Sequence, residues 1–238
     1  MEPGTQCPLG VGNIASMAST PAFVPLSYQK PSASETATRA RQFFERLDRR
    51  RSVRAFSDEE VSENVIKDLV RAASTAPSGA HLQPWTFVAV SDPATKRRIR
   101  IAAEAEEEKN YASRMPADWL RAVEPMGTNK HKPFLDVAPW VIVLFRQDYG
   151  LRQNDTRVHH YYVAESVGIA AGMFLAAVHE AGLVALTHTP SPMRFLRDIL
   201  DRPRNETATL LIPVGYPADD ATVPNLCRKS LDEVLTIV

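Results

Sequence analysis

Arg49-Arg50-Arg51-Ser52-Val53-Arg54 places four guanidinium groups and a hydroxyl within six positions. Guanidinium forks match phosphate oxygens in geometry and charge, so the run reads as an anion cradle. A solvated basic helix end is the competing reading. Further on, Thr75-Ala76-Pro77-Ser78-Gly79-Ala80-His81-Leu82-Gln83-Pro84-Trp85 carries two prolines around small residues. The prolines fix φ and remove donors, while Ser78, Gly79 and Ala80 leave amides that a ligand can approach closely. Loops of that composition line sites, although a plain turn would have the same letters. Thr187-His188-Thr189-Pro190 offers three more hydrogen-bonding side chains just before a proline, and Arg228-Lys229 adds late positive charge.

The elements that must position these residues follow from periodicity. Ser34 is the expected N-cap of a helix with Phe43, Phe44 and Leu47 on one face, and Asp58 that of a helix over Val61 to Ala73. The proline-rich loop then leads into an alternating strand from Trp85 to Val90. Pro93 opens a helix running through Lys96, Ile99 and Ile101 to the acidic run Glu104, Glu106, Glu107 and Glu108. Residues 107–134 mix charge, aromatics, Gly127 and three prolines. That composition suits an irregular surface excursion, either closing over a site or merely solvated. Val137 to Phe145 barely alternates and predicts a strand buried on both faces. A long helix is expected over about Val158 to Ala181, where Gly168, Ala170, Ala171 and Gly172 permit close helix approach, as at a dimer interface. His159 and His160 are adjacent and so diverge, which argues against a shared metal.

Gly182 ends that helix, and a short strand over Leu183 to Thr187, a helix over Met193 to Leu200 and a strand over Leu210 to Pro217 complete the pattern. The tail carries Leu231, Val234, Leu235, Ile237 and Val238, too much apolar surface to leave in water, and docking on a partner subunit would hide it.

With 238 residues, 44% of them hydrophobic, the chain can bury one large core. Lys plus Arg and Asp plus Glu each total 28, a balance that disfavours a general nucleic-acid binder. Residues 1–33 read as a flexible arm before a domain over 34–238. The arm has neither the pattern of a signal peptide nor an unbroken apolar run, so a soluble, cytoplasmic protein without a membrane anchor is expected. Cys7 and Cys227 lack metal-ligand spacing and are expected as reduced thiols. Glycine-rich nucleotide fingerprints, zinc spacings and Gly-x-Ser-x-Gly elbows are absent.

Arg50-Arg51-Ser52-Val53-Arg54, Ala76-Pro77-Ser78-Gly79 and Gln83-Pro84-Trp85 resemble the flavin-binding pattern of the nitroreductase superfamily. Arg51-Ser52-Val53-Arg54, Ala76 to His81, Pro84 to Val88, Leu211 to Pro217 and Ala221-Thr222-Val223-Pro224 are similar, more narrowly, to the iodotyrosine deiodinase family, over about Arg49 to Val238. That family carries a Glu, a Tyr four residues on and a Lys 21 residues beyond the Tyr, all on a lid, and this sequence has Glu107, Tyr111 and Lys132 at those spacings. The trio's chemistry is legible apart from the family: Lys132 can pair with an amino acid's carboxylate, Glu107 with its ammonium, and Tyr111 can hydrogen-bond to the zwitterion.

The resemblance implies an α+β fold: a mixed central sheet flanked by helices in a domain-swapped homodimer, with a lid over about 107–134 and a dimer arm over about 222–238. It implies FMN held by Arg50, Arg51, Ser52, Arg54, Pro77, Ser78, Thr187, His188, Thr189 and Arg228, the last from the second subunit in relatives. The family's middle Thr is His188 here, which leaves that one contact open. By the same resemblance the Ala80 amide donates to a substrate phenolate, and Thr189 is the catalytic candidate, donating to flavin N5 and so favouring one-electron steps. The expected activity is reductive dehalogenation of halotyrosine with electrons from NAD(P)H, directly or through a separate reductase. The alternatives are a nitroreductase or reductase of other substituted phenols, a flavin-fragmenting dimethylbenzimidazole synthase, and a flavin store or sensor.

Overall fold

The most apolar run of the chain becomes the middle of its sheet. In the computed structural model, which describes residues 23–151 and 156–238, strand β2 (Trp140–Gln147) has every side chain from Val141 to Phe145 fully buried. Strand β1 (Trp85–Val90) pairs antiparallel with one edge of β2 and β6 (Glu206–Gly215) with the other. The two-residue β5 (Val184–Ala185) lies beyond β6, giving the order β1-β2-β6-β5. All these ladders are antiparallel, and the sheet's one parallel pairing among the described residues is the isolated bridge Ser52–Ala185. A separate hairpin joins β3 (Tyr149–Leu151) to β4 (Arg157–His159).

Both faces of β2 are covered, although its partners are antiparallel. Ile142, with Ile212 and Val214 of β6, packs against Ile66, Leu69 and Ala73 of helix α2 (Glu63–Ser74) and Phe174 and Val178 of a later helix, Val163–Glu180. Val141, Val143 and Phe145 point the other way, onto Ile99 and Ala103 of α3 (Pro93–Lys109) and Leu135 of the single turn Phe134–Val137. Successive strand residues face opposite sides, so two helical layers demand an apolar residue at every position. Helix α1 (Ala33–Asp48) buries none of its residues and leaves Phe43 and Phe44 more than half exposed. Numbered in chain order, the remaining helices are α4 (Ala117–Val123), α5 (Phe134–Val137), α6 (Val163–Glu180) and α7 (Arg194–Ile199).

Several expected boundaries move. Helix α1 is capped by Ser32 rather than Ser34, with the Glu35 amide donating to its Oγ at 3.2 Å, so the helix begins as soon as Pro31 is passed. Ser62, not Asp58, caps α2, because the chain is still extended at Ser57, whose amide donates to the Tyr216 carbonyl at 3.0 Å. Helix α6 starts at Val163 instead of about Val158: residues 157–159 are taken by the hairpin, and Tyr162 adopts a left-handed conformation at φ 52°. Val137 belongs to α5, and β2 starts only after Pro139. The expected irregular excursion over 107–134 is largely helical: α3 continues through Lys109 into a π turn, Asn110–Arg114, before α4. Pro116 and Pro125 sit at the starts of turns, where a missing donor costs nothing.

Helix α6 is long and apolar enough, by length and composition alone, to cross a membrane. Six of its residues nevertheless face the core, among them Val167, Ala170 and Phe174. Its other side, with Glu165, Gly168, Ile169 and Gly172, is exposed. A Cβ added at Gly168 or Gly172 would meet nothing within 4 Å. The tail's apolar residues are likewise open, with Val234 66% and Ile237 86% exposed. Cys227 is free and exposed, and Cys7 lies outside the described residues, as do residues 1–22 of the expected arm.

Candidate active site

The acid, phenol and ammonium expected on the lid come together. Helix α3 and its π extension put Glu107 and Tyr111 one turn apart, and Lys132 arrives on the segment leading into α5. Lys132 Nζ lies 3.1 Å from Glu107 Oε2 and 5.9 Å from the centroid of the Tyr111 ring. Both charged side chains are sealed from water, at 2% and 7% exposure. Lys132 also donates to Thr128 Oγ1 at 3.3 Å and to the Asn129 carbonyl, so its three protons are all engaged within the chain. Burial pushes its pKa down and Arg54 adds to the effect, while Glu107 opposes it. Burial also lowers the pKa of Arg54, and Tyr111 opposes that shift. His188 packs edge-on against Phe134 at 5.8 Å, and burial together with Lys132 and Arg54 pushes it down to about 3. It is therefore a neutral imidazole, with Nε2 buried and unpartnered. Its backbone amide and carbonyl are both spent on Leu211.

Several residues that hold this group in place were not read from sequence. Glu104 Oε1 accepts the Lys132 backbone amide at 2.7 Å and Arg100 Nε at 2.9 Å, and Arg100 reaches on to Asp136 at 2.7 Å. Asn110 is buried and donates to the Ser191 carbonyl at 2.9 Å, tying the lid to the loop after Thr189. The available signal was spacing: Arg100, Glu104, Glu107 and Tyr111 recur at intervals of four, three and four, a buried-face period occupied by polar residues.

The arginine run lines two clefts. Arg50, Ser52 and Thr187 line one cleft of about 250 Å³ together with Gly172 and Ala176 of α6. Arg49, Arg50 and Arg51 line another of about 250 Å³, with Leu175, His179, Pro217 and Val223. Val53 donates to the Ala185 carbonyl at 3.1 Å, fixing the run against β5. Arg51 donates to the Pro224 carbonyl. Arg228 closes on the same turn from its own chain's tail, donating to Asp48 Oδ1 at 2.8 Å and to the Arg50 carbonyl at 3.0 Å. The Thr189 hydroxyl is exposed and makes no hydrogen bond among the described residues.

The loop over Pro77 to Ala80 stands elsewhere. It packs on the first turn of α6 through Ser166, whereas the cradle clefts reach α6 at Gly172 to His179. At about 1.5 Å per residue, Ser166 and Gly172 are roughly 9 Å apart along that helix. Neither cleft is lined by Ser78 or Ala80. Ala80 takes φ 50°, His81 φ 55° and Gln83 φ 47°, a run of left-handed non-glycine residues that is costly and typical of functional loops. The Ala80 amide finds no acceptor among the described residues, while the His81, Leu82 and Gln83 amides are all bonded inside the loop. Within one chain the structure thus assembles the lid trio and the arginine cradle but keeps the Ser78–Ala80 loop apart from the cradle.

Comparison with known proteins identifies the family. The family model described as the nitroreductase family matches residues 47–216. An iodotyrosine deiodinase of Haliscomenobacter hydrossis is 52% identical over 221 residues, 93% of this chain and all of that one. Human iodotyrosine deiodinase 1 is 45% identical over 218 residues, 90% of this chain and 75% of that one. A crystal structure of oxidized iodotyrosine deiodinase bound to FMN and 3-iodo-L-tyrosine superposes with a TM-score of 0.72 at 27% identity, covering 82% of this chain and all of that one. The chain belongs to the nitroreductase family and, within it, to the iodotyrosine deiodinases.

Proposed function

We propose that this chain is an FMN-dependent oxidoreductase that removes halogen reductively from halotyrosines. The reading is carried by the sealed Glu107–Lys132 pair beside Tyr111. A buried ion pair is a poor stabiliser compared with apolar packing, so its presence under a lid suits a site that exchanges its internal partner for a ligand. A zwitterion is the ligand that satisfies both charges at once: its carboxylate goes to Lys132 and its ammonium to Glu107. Because every Lys132 proton is already engaged, the incoming carboxylate displaces Thr128 or the Asn129 carbonyl.

The residues fit FMN. Arg50, Arg51, Ser52 and Thr187 line clefts whose walls, Arg49 and His179 apart, are otherwise apolar, as a phosphate with an aromatic ring system requires. Arg228 adds a cation at the same turn, and Arg54 sits toward the lid. Ser78, with Pro77 shaping its loop, and the free hydroxyl of Thr189 serve the ring. His188 contributes through an imidazole turned toward the lid rather than through its backbone. When bound, FMN supplies the two electrons that, with a proton, replace the carbon–halogen bond by carbon–hydrogen and release halide. The chain's own contribution is to hold the zwitterion, exclude water with the lid, and offer the Ala80 amide to the phenolate oxygen. A halogenated phenol ionises more readily than tyrosine, so a phenolate site retains substrate and releases product. The electrons derive from NAD(P)H.

A homodimer completes the site. In one chain the Ser78–Ala80 loop and the arginine cradle lie at different heights on α6, and a second copy packed across the open Gly168–Gly172 face brings one copy's loop to the other's cradle. The exposed apolar tail covers that second copy.

The test is to load the protein with FMN, reduce it without oxygen, and add 3-iodotyrosine or 2-iodophenol. Rapid flavin reoxidation with stoichiometric iodide is expected for iodotyrosine, with much slower reaction for the phenol lacking an amino-acid end. Equal rates for both, or no iodide at all, would overturn the assignment.

A further inference from the structure

Ser166 is 2% exposed, sits in the first turn of α6 and has no part in the activity described above. Its Oγ donates to the Tyr162 carbonyl at 2.6 Å and accepts the Gly79 amide at 3.3 Å. Among the described residues it is the one side chain from outside the Ser78–Gln83 loop that bonds the loop's backbone. The contact is tight. A Cβ on Gly79 would fall 2.6 Å from the Tyr161 carbonyl oxygen and 3.1 Å from the Tyr162 ring, so loop and helix start meet backbone to backbone.

We propose that Ser166 is a positioning residue that aims the Ala80 amide at the substrate phenolate. The inference rests on the phenolate-binding role given to Ala80 above. Fixing the Gly79 amide holds the Ser78–Gly79 peptide plane, one residue before the plane that carries the Ala80 N–H, and so limits where the left-handed turn at Ala80 can start. Apart from the Gln83 carbonyl, which accepts the Trp85 amide at 2.7 Å, the rest of the loop's hydrogen bonds are internal and would let it pivot about its Gln83 end. Ser166 ties that unit to a helix that is itself anchored in the core by Val167, Ala170 and Phe174. The left-handed Tyr162 presents the carbonyl that orients the Ser166 hydroxyl, which leaves its oxygen lone pair toward Gly79.

The test uses the full chain loaded with oxidised FMN and follows flavin fluorescence on titration with 3-iodotyrosine and with 3-iodophenylalanine, which has the halogen and zwitterion but no phenol. Ser166→Ala should weaken 3-iodotyrosine about tenfold, the cost of losing one orienting hydrogen bond. It should leave 3-iodophenylalanine and FMN affinities unchanged. The rise in affinity as the phenol ionises with pH should flatten, and Ser166→Thr, which keeps the hydroxyl, should restore it. Equal weakening of both ligands, or none, overturns the proposal. Should Ser166→Ala fail to fold, Ser166→Cys carries the test, since a thiol is a poorer acceptor: a pH profile identical to that of the parent overturns it. A parent protein without any preference for the ionised phenol would instead sink the phenolate reading of Ala80.

Discussion

The lid side and the α6 side of this molecule treat charge and apolar surface in opposite ways. Under the lid, Glu107 and Lys132 are buried and every proton of the ammonium has an acceptor within the chain. Along α6, Gly168, Ile169 and Gly172 lie open, and the tail leaves Leu231, Val234 and Ile237 in water. The first region satisfies its charges within one chain, while the second leaves apolar surface uncovered. On the proposed function, the parts that recognise the amino-acid end of a substrate are built by intrachain packing, and those that complete the flavin site are left to association.

Substitutions that act on one side only would break or sharpen this contrast. The largest effect is expected from Gly168→Leu. Among the described residues, its chain neighbours and its own helix's backbone aside, nothing lies within 4 Å of a Cβ there, and leucine gains roughly 0.8 kcal/mol of helix propensity over glycine, so the single chain should fold at least as well. The dimer should nonetheless be lost in sedimentation, and FMN retention with it. A dimeric, yellow Gly168→Leu protein would show that this face is not the interface.

Next comes Lys132→Gln, which leaves Glu107 buried without its partner. Affinity for 3-iodotyrosine should fall by about a hundredfold or more, in keeping with the roughly 2–5 kcal/mol lost in binding when one partner of a buried charge pair is truncated. The dimer and its FMN should be untouched. Flavin-fluorescence titration checks the first point and absorbance after gel filtration the second.

The last effect, absent at neutral pH, concerns His188. In the folded chain it stays neutral down to about pH 3, whereas the unfolded chain protonates it near 6.5. Between those values the unfolded state binds more protons, so stability falls as the pH falls, by up to about 1.4 kcal/mol per pH unit. His188→Asn should lose stability less steeply between pH 6.5 and 3 in urea denaturation at fixed pH steps. Identical slopes would mean that the imidazole is not held neutral beneath the lid.

Some of the molecule was legible in the letters. The unbroken apolar run at Val141–Phe145 announced a strand covered on both faces, because alternation disappears only when both sides need apolar groups. Glu107, Tyr111 and Lys132 were picked out by matching the spacing of the family the chain resembles, and their residue types then made the chemistry legible. The same helical period would have pointed to Glu104 and Arg100 had polar residues been allowed on a buried face.

Other features were settled by contacts far away in sequence. The hydroxyl of Ser166 is an ordinary helix residue until the loop 87 positions earlier folds against it. Whether α6 begins at 158 or 163 was decided by pairing between Tyr149–Leu151 and Arg157–His159, and whether Asp58 or Ser62 caps α2 by the contact of Ser57 with Tyr216. Local pattern records what each residue prefers against solvent and its near neighbours, and that was enough for strands β1, β2 and β6 and the cationic run, while the lid trio needed the family's spacing. Which buried donors meet which acceptors depends on how the layers are brought together, and only the packed chain decides it.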